Sequence, residues 1–237
     1  HMARLPVVAA SLLVLLGAAG AAREGQGARA KGSPAAPSPV DYAQEAKDIA
    51  TCAKSHALPQ EVNLVPSDNT EGMTVSRSVA CFMRMVQTIT EDDDDSSDDG
   101  SEKEGEPLVI PLAKVDQESL GLIVEFAQNK LKNAGPELQG LNFSVVPRPL
   151  SGPLRETESI SEEDSAFMDE IAEDLDKLFR LTNAVNFVDC PPLLELCTAR
   201  IAQMLIGKTP KEIREIFPEV FAQKKEGEEA EEEEAKD

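Results

Sequence analysis

No stretch narrows the possibilities for this chain more than Pro191–Pro218, PPLLELCTARIAQMLIGKTPKEIREIFP. Pro191 and Pro192 stand where a helix should start, and proline is tolerated in a first turn because those amides have no intrahelical acceptor. Leu194, Cys197, Ile201, Met204 and Leu205 recur at helical spacing and give one apolar face. Gly207 follows where a left-handed C-terminal cap costs least. Thr209 can then cap free amides, and Pro210 sets the first helical φ. Glu212, three residues on, completes a capping box. A second helix carries Ile213, Ile216 and Phe217 and stops at Pro218. The grammar is helix, break, helix.

Composition sets the outer bounds. A chain of 237 residues allows one or two domains. Its 41% apolar content supports a core, but with no Trp and only Tyr42 as tyrosine, that core must rest on Leu, Ile, Val, Met and a few Phe. A formal charge of −21, with no basic run, argues against a nucleic-acid partner, because like charges repel. Cys52, Cys81, Cys190 and Cys197 are too few and too scattered for a disulfide framework, and none forms a C-x-x-C pair. His56 is the only internal histidine, so neither a zinc site nor a Ser-His-Asp or papain-like mechanism is expected. No P-loop, G-x-S-x-G, G-x-G-x-x-G or H-E-x-x-H occurs. The reading is a non-enzyme without cofactors.

Residues 1–22 read as a secretory signal peptide. Arg4 supplies the positive start, Leu5–Leu16 the apolar run, and Gly17–Ala22 the small residues before cleavage. The run falls short of the roughly 20 apolar residues of a membrane span, so stable membrane insertion after cleavage is not expected; an uncleaved anchor or a buried helix is the alternative. Residues 23–57 read as a disordered linker or leader, Ala-, Gly-, Pro- and Ser-rich up to residue 40, with a short helix at 41–56 through Ala43, Ala46, Ile49 and Ala50. A plastid leader is the alternative for the basic part. Entry into the secretory route is the expected localisation.

Glu61–Val65 alternates like a strand, Ser67–Asp68–Asn69 is turn chemistry, and Met73–Val75 returns. A helix over 78–90 follows, through Val79, Phe82, Met83, Val86 and Ile89. Residues 91–106 are an acidic run too densely charged to compact. Leu108–Leu112 is a strand containing Pro111. Asp116 then caps a helix whose staple is Val115 and Leu120 and whose buried stripe adds Ile123, Val124, Phe126 and Ala127. Residues 133–164 read as a linker, and Phe167–Val188 as helices with Phe167, Ile171, Leu175, Leu178, Phe179 and Val185 on one face. Asn142-Phe143-Ser144 is a glycosylation sequon, usable only in the secretory route. Residues 219–237 form an acidic, disordered tail.

The wording within this grammar resembles a known family. GKTPKEIREIF is similar to the GKTPEEIRKxF signature of the Skp adaptors, which join a cullin to F-box proteins in SCF-type ubiquitin ligases. Asn183–Asp189 resembles their LAANYLD, and Leu193–Leu194 their paired leucines. The resemblance runs ungapped from about Ala166 to Phe217 and more weakly from Glu61. It implies an α+β fold: a BTB/POZ-like domain over 58–132 with an acidic loop at 91–106, a linker at 133–164, and a helical dimerisation and F-box-binding region at 165–218.

By position, Ile206, Lys208, Thr209, Pro210, Ile213 and Phe217 would receive an F-box; plain core is the alternative for Ile213 and Phe217. Asn186 and Phe187 would face a cullin, with Phe187 lacking the hydroxyl of the family's Tyr. Phe126 stands where the family has Trp. Pro210 is a hydroxylation candidate and Asn142 a glycosylation candidate. The family's helix beyond the acidic stretch, ending in Trp-Cys, has no counterpart here, so weaker or more restricted F-box binding is expected. The implied function is an SCF-type adaptor; the alternative is a secreted or organelle-routed interaction module without a ligase role. The resemblance likewise implies the cytosol and nucleus as the alternative to the secretory route, whose end would be secretion or a complex plastid.

Overall fold

The computed structural model describes residues 41–55, 58–91, 108–135, 138–150 and 152–218. The expected leader, the acidic run beyond Glu91 and the acidic tail lie outside the described residues. The chain divides into two units, one spanning Ser38–Arg200 and one whose described residues begin at Ile201. The class is α+β.

The first unit is built on a three-stranded sheet in the order β2-β1-β3. Central β1 (Glu61–Pro66) pairs antiparallel with β2 (Met73–Ser76), Val62 opposite Val75, and parallel with β3 (Leu108–Leu112), Val62 opposite Leu108. The period of two turns Val62 and Leu64 inward, both fully buried. Pro111 lies on the edge strand β3, where a missing amide donor is tolerated. Gly72 closes the β1–β2 turn at φ 75°, and a Cβ there would collide with the side chain of Asn63.

Helix α4 (Gln117–Ala134) starts as expected: Asp116 accepts from the Ser119 amide at 2.8 Å, and Val115 and Leu120 are fully buried as its staple. It packs on α6 (Leu175–Val188), which Asp174 caps. Leu120, Ile123 and Ala127 of α4 and Leu178, Leu181 and Val185 of α6 are all fully buried. Arg180 of α6 reaches Glu118 at 2.8 Å and Asp116 at 3.8 Å. Each buried aliphatic side chain contributes about 1.5–3 kcal/mol, whereas a half-exposed ion pair contributes about 0–1. Apolar burial therefore holds these helices, and the Arg180 pairs add little to it.

Four local readings require correction. The helix expected over 78–90 is two, α2 (Arg77–Ala80) and α3 (Arg84–Glu91). The Arg84 amide donates to the Asp189 carbonyl at 3.0 Å, so a partner 105 positions away replaces the helical acceptor at Ala80. Within the expected linker 23–57, the short helix read at 41–56 is present, and residues 41–55 are packed rather than linker. They hold α1 (Tyr42–Lys54), capped by Asp41, with Ile49 fully buried and the buried Glu45 paired to Arg84. Nor are the cysteines all free, because Cys52 of α1 and Cys81 form a disulfide.

The expected linker 133–164 is also structured in part. Leu141, Phe143, Leu154 and Ile160 are buried although the described residues of 138–161 form no regular element beyond one 3₁₀ turn, and α5 (Glu162–Ile171) begins inside the expected linker, capped by Ser161. Sequence patterning misses such a strap because its apolar residues follow no helical or strand period.

The disulfide closes a loop with a sequence separation of 29. Replacing both Cys52 and Cys81 by Ala should lower the unfolding free energy by about 3.5 kcal/mol, chiefly by freeing the unfolded chain. Denaturant titration of the oxidised protein against the double variant checks this; an unchanged midpoint would contradict it.

Candidate partner-binding surfaces

Helix α7 (Pro191–Leu205) begins at the two prolines. Its start is deeply buried, with Leu193, Leu196 and Cys197 at 0–1% exposure. Cys190 and Cys197 are free and fully buried, and burial pushes both thiols up to about 12. Neither is thus a nucleophile near neutral pH; they serve as small hydrophobes. Ile201 is buried, while Leu194, Met204 and Leu205 are half-buried.

The break is built as the sequence predicts. Gly207 has φ 74°, and the Lys208 amide closes back on the Leu205 carbonyl at 3.1 Å. Thr209 then caps α8 (Pro210–Ile216) through a complete capping box. The Glu212 amide donates to Thr209 Oγ1 at 3.3 Å. Glu212 Oε2 accepts from the Thr209 amide at 2.7 Å and from its hydroxyl at 2.8 Å. Those two bonds, the amide's first, hold the Glu212 carboxyl below its ordinary value.

Four of the six residues assigned to an F-box surface form a continuous exposed corner. Ile206 is 48% exposed, one of four exposed large hydrophobic side chains among the described residues, and Lys208, Thr209 and Pro210 are exposed beside it. Ile213 is half-buried. Phe217 is 2% exposed, so its ring is not on that corner.

The two residues assigned to a cullin lie at the end of α6. Asn186 is exposed and Phe187 half-buried, with Lys114 Nζ 5.7 Å from its ring centroid. The helix stops at Asp189, which takes the left-handed conformation at φ 54°. Sequence reading missed Lys114 and Asp189. The first is 73 positions from Phe187, but the second had a signal, since Asp is among the few non-glycine residues that tolerate this region. Asn142 is exposed and stands apart from both groups in the strap 138–161.

A sheet with crossing helices, followed by a capped helix pair, defines a BTB/POZ-like module with a helical extension. Residues 191–237 match the model of the Skp1 family, dimerisation domain. The S-phase kinase-associated protein 1 homolog of Tetrahymena thermophila is 28% identical over 157 residues, covering 66% of this chain and 81% of that protein. The E3 ubiquitin ligase complex SCF subunit sconC of Arthroderma benhamiae is 31% identical over 157 residues, 66% of this chain and 82% of that protein. The suppressor of kinetochore protein 1 of Schizosaccharomyces pombe is 26% identical over a stretch of the same length. The chain belongs to the Skp1 family.

The capping box carries its own pH dependence. Because the folded carboxyl of Glu212 titrates below its ordinary value, the cap is complete above the unfolded pKa and is lost as pH falls through the lowered folded one. An NMR titration of the Glu212 carboxyl carbon should show a midpoint below that of an unstructured glutamate, and Thr209→Ala should return it upward. An ordinary midpoint in the unaltered protein would contradict the box.

Proposed function

We propose that this chain is an adaptor that bridges a cullin and F-box proteins in an SCF-type ubiquitin ligase, without chemistry of its own. The observation that carries the reading is its likeness to an SCF subunit, 31% identical over 82% of that protein. The exposed corner Ile206–Pro210 supports it as the F-box side. An apolar side chain beside a rigid, capped turn offers a helical partner an anchor and a fixed entry angle. Ile213 is half-buried and Phe217 buried, so of these two only Ile213 offers a partner any surface. Asn186 and Phe187 form the cullin side, where Phe187 supplies apolar contact and Lys114 adds charge at the ring. Pro210 exposes its ring at the first turn of α8 and is the candidate for hydroxylation.

A second reading, an interaction module routed by the leader and without a ligase role, is favoured by the Cys52–Cys81 disulfide. Such bonds persist mainly in oxidising compartments.

Affinity purification of the tagged chain should recover both a cullin and F-box proteins. Ile206→Glu should weaken F-box capture at least about tenfold and leave cullin capture unchanged; the pair Asn186→Ala and Phe187→Ala should do the reverse. Recovery of F-box proteins but never of a cullin would sink the adaptor reading and leave the second.

A further inference from the structure

We infer that Asn142 is an N-glycosylation site and that the chain acquires its glycan and its Cys52–Cys81 disulfide in the same oxidising, secretory-type lumen. The two observations are independent: one is a sequon, the other a covalent bond between cysteines 29 positions apart. The inference does not rest on the adaptor reading; it belongs with the second reading, the module routed by the leader.

The geometry of Asn142-Phe143-Ser144 divides its work among the three residues. Asn142 is exposed, with room for a bulky hydrophilic group. Phe143 is buried, its ring 6.0 Å from that of Phe82, edge-on, and 6.1 Å from that of Tyr42. Phe82 follows Cys81, and Tyr42 opens the helix that carries Cys52. The middle residue of the sequon therefore packs into the cluster that the disulfide fastens.

Ser144 is buried as well. Its hydroxyl donates to Asp164 Oδ2 at 2.5 Å, and the same oxygen takes Lys130 Nζ at 2.6 Å. In the folded protein this hydroxyl is thus unavailable to a transferase. Its acceptor lies 20 positions downstream, however, so during synthesis the sequon emerges before the segment that buries its serine. The exposed asparagine and the later-buried serine place the modification ahead of folding, and the finished fold accommodates the product.

The co-reactant is an oligosaccharide joined to a lipid through pyrophosphate. Asn142 Nδ2 forms a bond to the anomeric carbon, and the bond from that carbon to the pyrophosphate oxygen breaks. The lipid pyrophosphate leaves with the electron pair, and the amide proton passes to a base of the transferase. No oxidation or reduction occurs at this step. The disulfide forms separately, with two thiol electrons passing to the compartment's thiol oxidant.

The test is expression of residues 1–237 in a eukaryotic cell with a C-terminal tag. Recovered protein is alkylated without reduction, digested with an amidase that removes N-glycans in heavy-oxygen water, and mapped by mass spectrometry. The expected result is heavy-labelled aspartate at position 142, a linked Cys52–Cys81 peptide and alkylatable Cys190 and Cys197 after unfolding. Asn142→Gln, at an exposed position that folding does not use, should abolish the label and keep the disulfide. Ser144→Thr should keep both. An unlabelled Asn142, whether the cysteines are linked or free, would overturn the assignment. A labelled Asn142 with Cys52 and Cys81 both alkylated in the folded protein would overturn the shared compartment.

Discussion

The unit Ser38–Arg200 depends on one contact, the apolar face of α4 lying along that of α6. Both helices are capped by aspartates at their N-termini, and both bury aliphatic residues completely along one stripe. Arg180 adds direction through Asp116 and Glu118, a contribution small beside the burial it accompanies. With that pair fixed, α6 ends at Asp189 in a set position. The carbonyl of Asp189 then receives the Arg84 amide and breaks the helix that would otherwise run from 78 to 90. Asn186 and Phe187 owe their placement to the same chain of contacts.

Helix α1 precedes the sheet in the chain. It is fastened three ways to elements of its own unit. Cys52 is bonded to Cys81, Glu45 is paired with Arg84, and the Tyr42 hydroxyl donates to Glu195. Burial of Tyr42, then its bond to the Glu195 carboxylate, drives the phenol's pKa far upward, so the hydroxyl stays a donor throughout the physiological range. Arg84 is thus engaged twice, by its side chain to α1 and by its amide to Asp189. Loss of α1 would leave Arg84 without its buried carboxylate and Phe143 without one of its two aromatic neighbours.

What could be read from sequence was whatever is decided within a few residues. Thr209, Pro210 and Glu212 announce a capping box because all three act within one turn, and Gly207 and Asp116 declare a stop and a start for the same reason. The alternation in Glu61–Val65 gave β1 to within a residue. What could not be read was decided at a distance: the Cys52–Cys81 bond, the Arg84–Asp189 bond and the irregular strap around Phe143. The same division runs through the surfaces. Local spacing marks the capped turn at Gly207–Pro210, but the burial of Phe217 and the approach of Lys114 to Phe187 needed the fold.

The adaptor reading stands or falls on whether one copy of this chain holds two partners together. Light scattering coupled to size exclusion measures this directly, with the purified chain, a cullin N-terminal region and an F-box segment mixed at equal concentrations. The account predicts a single complex with one copy of each, whose cullin affinity is the same with or without the F-box segment. Two binary complexes that exclude each other, or a chain that stays free of the cullin, would contradict it.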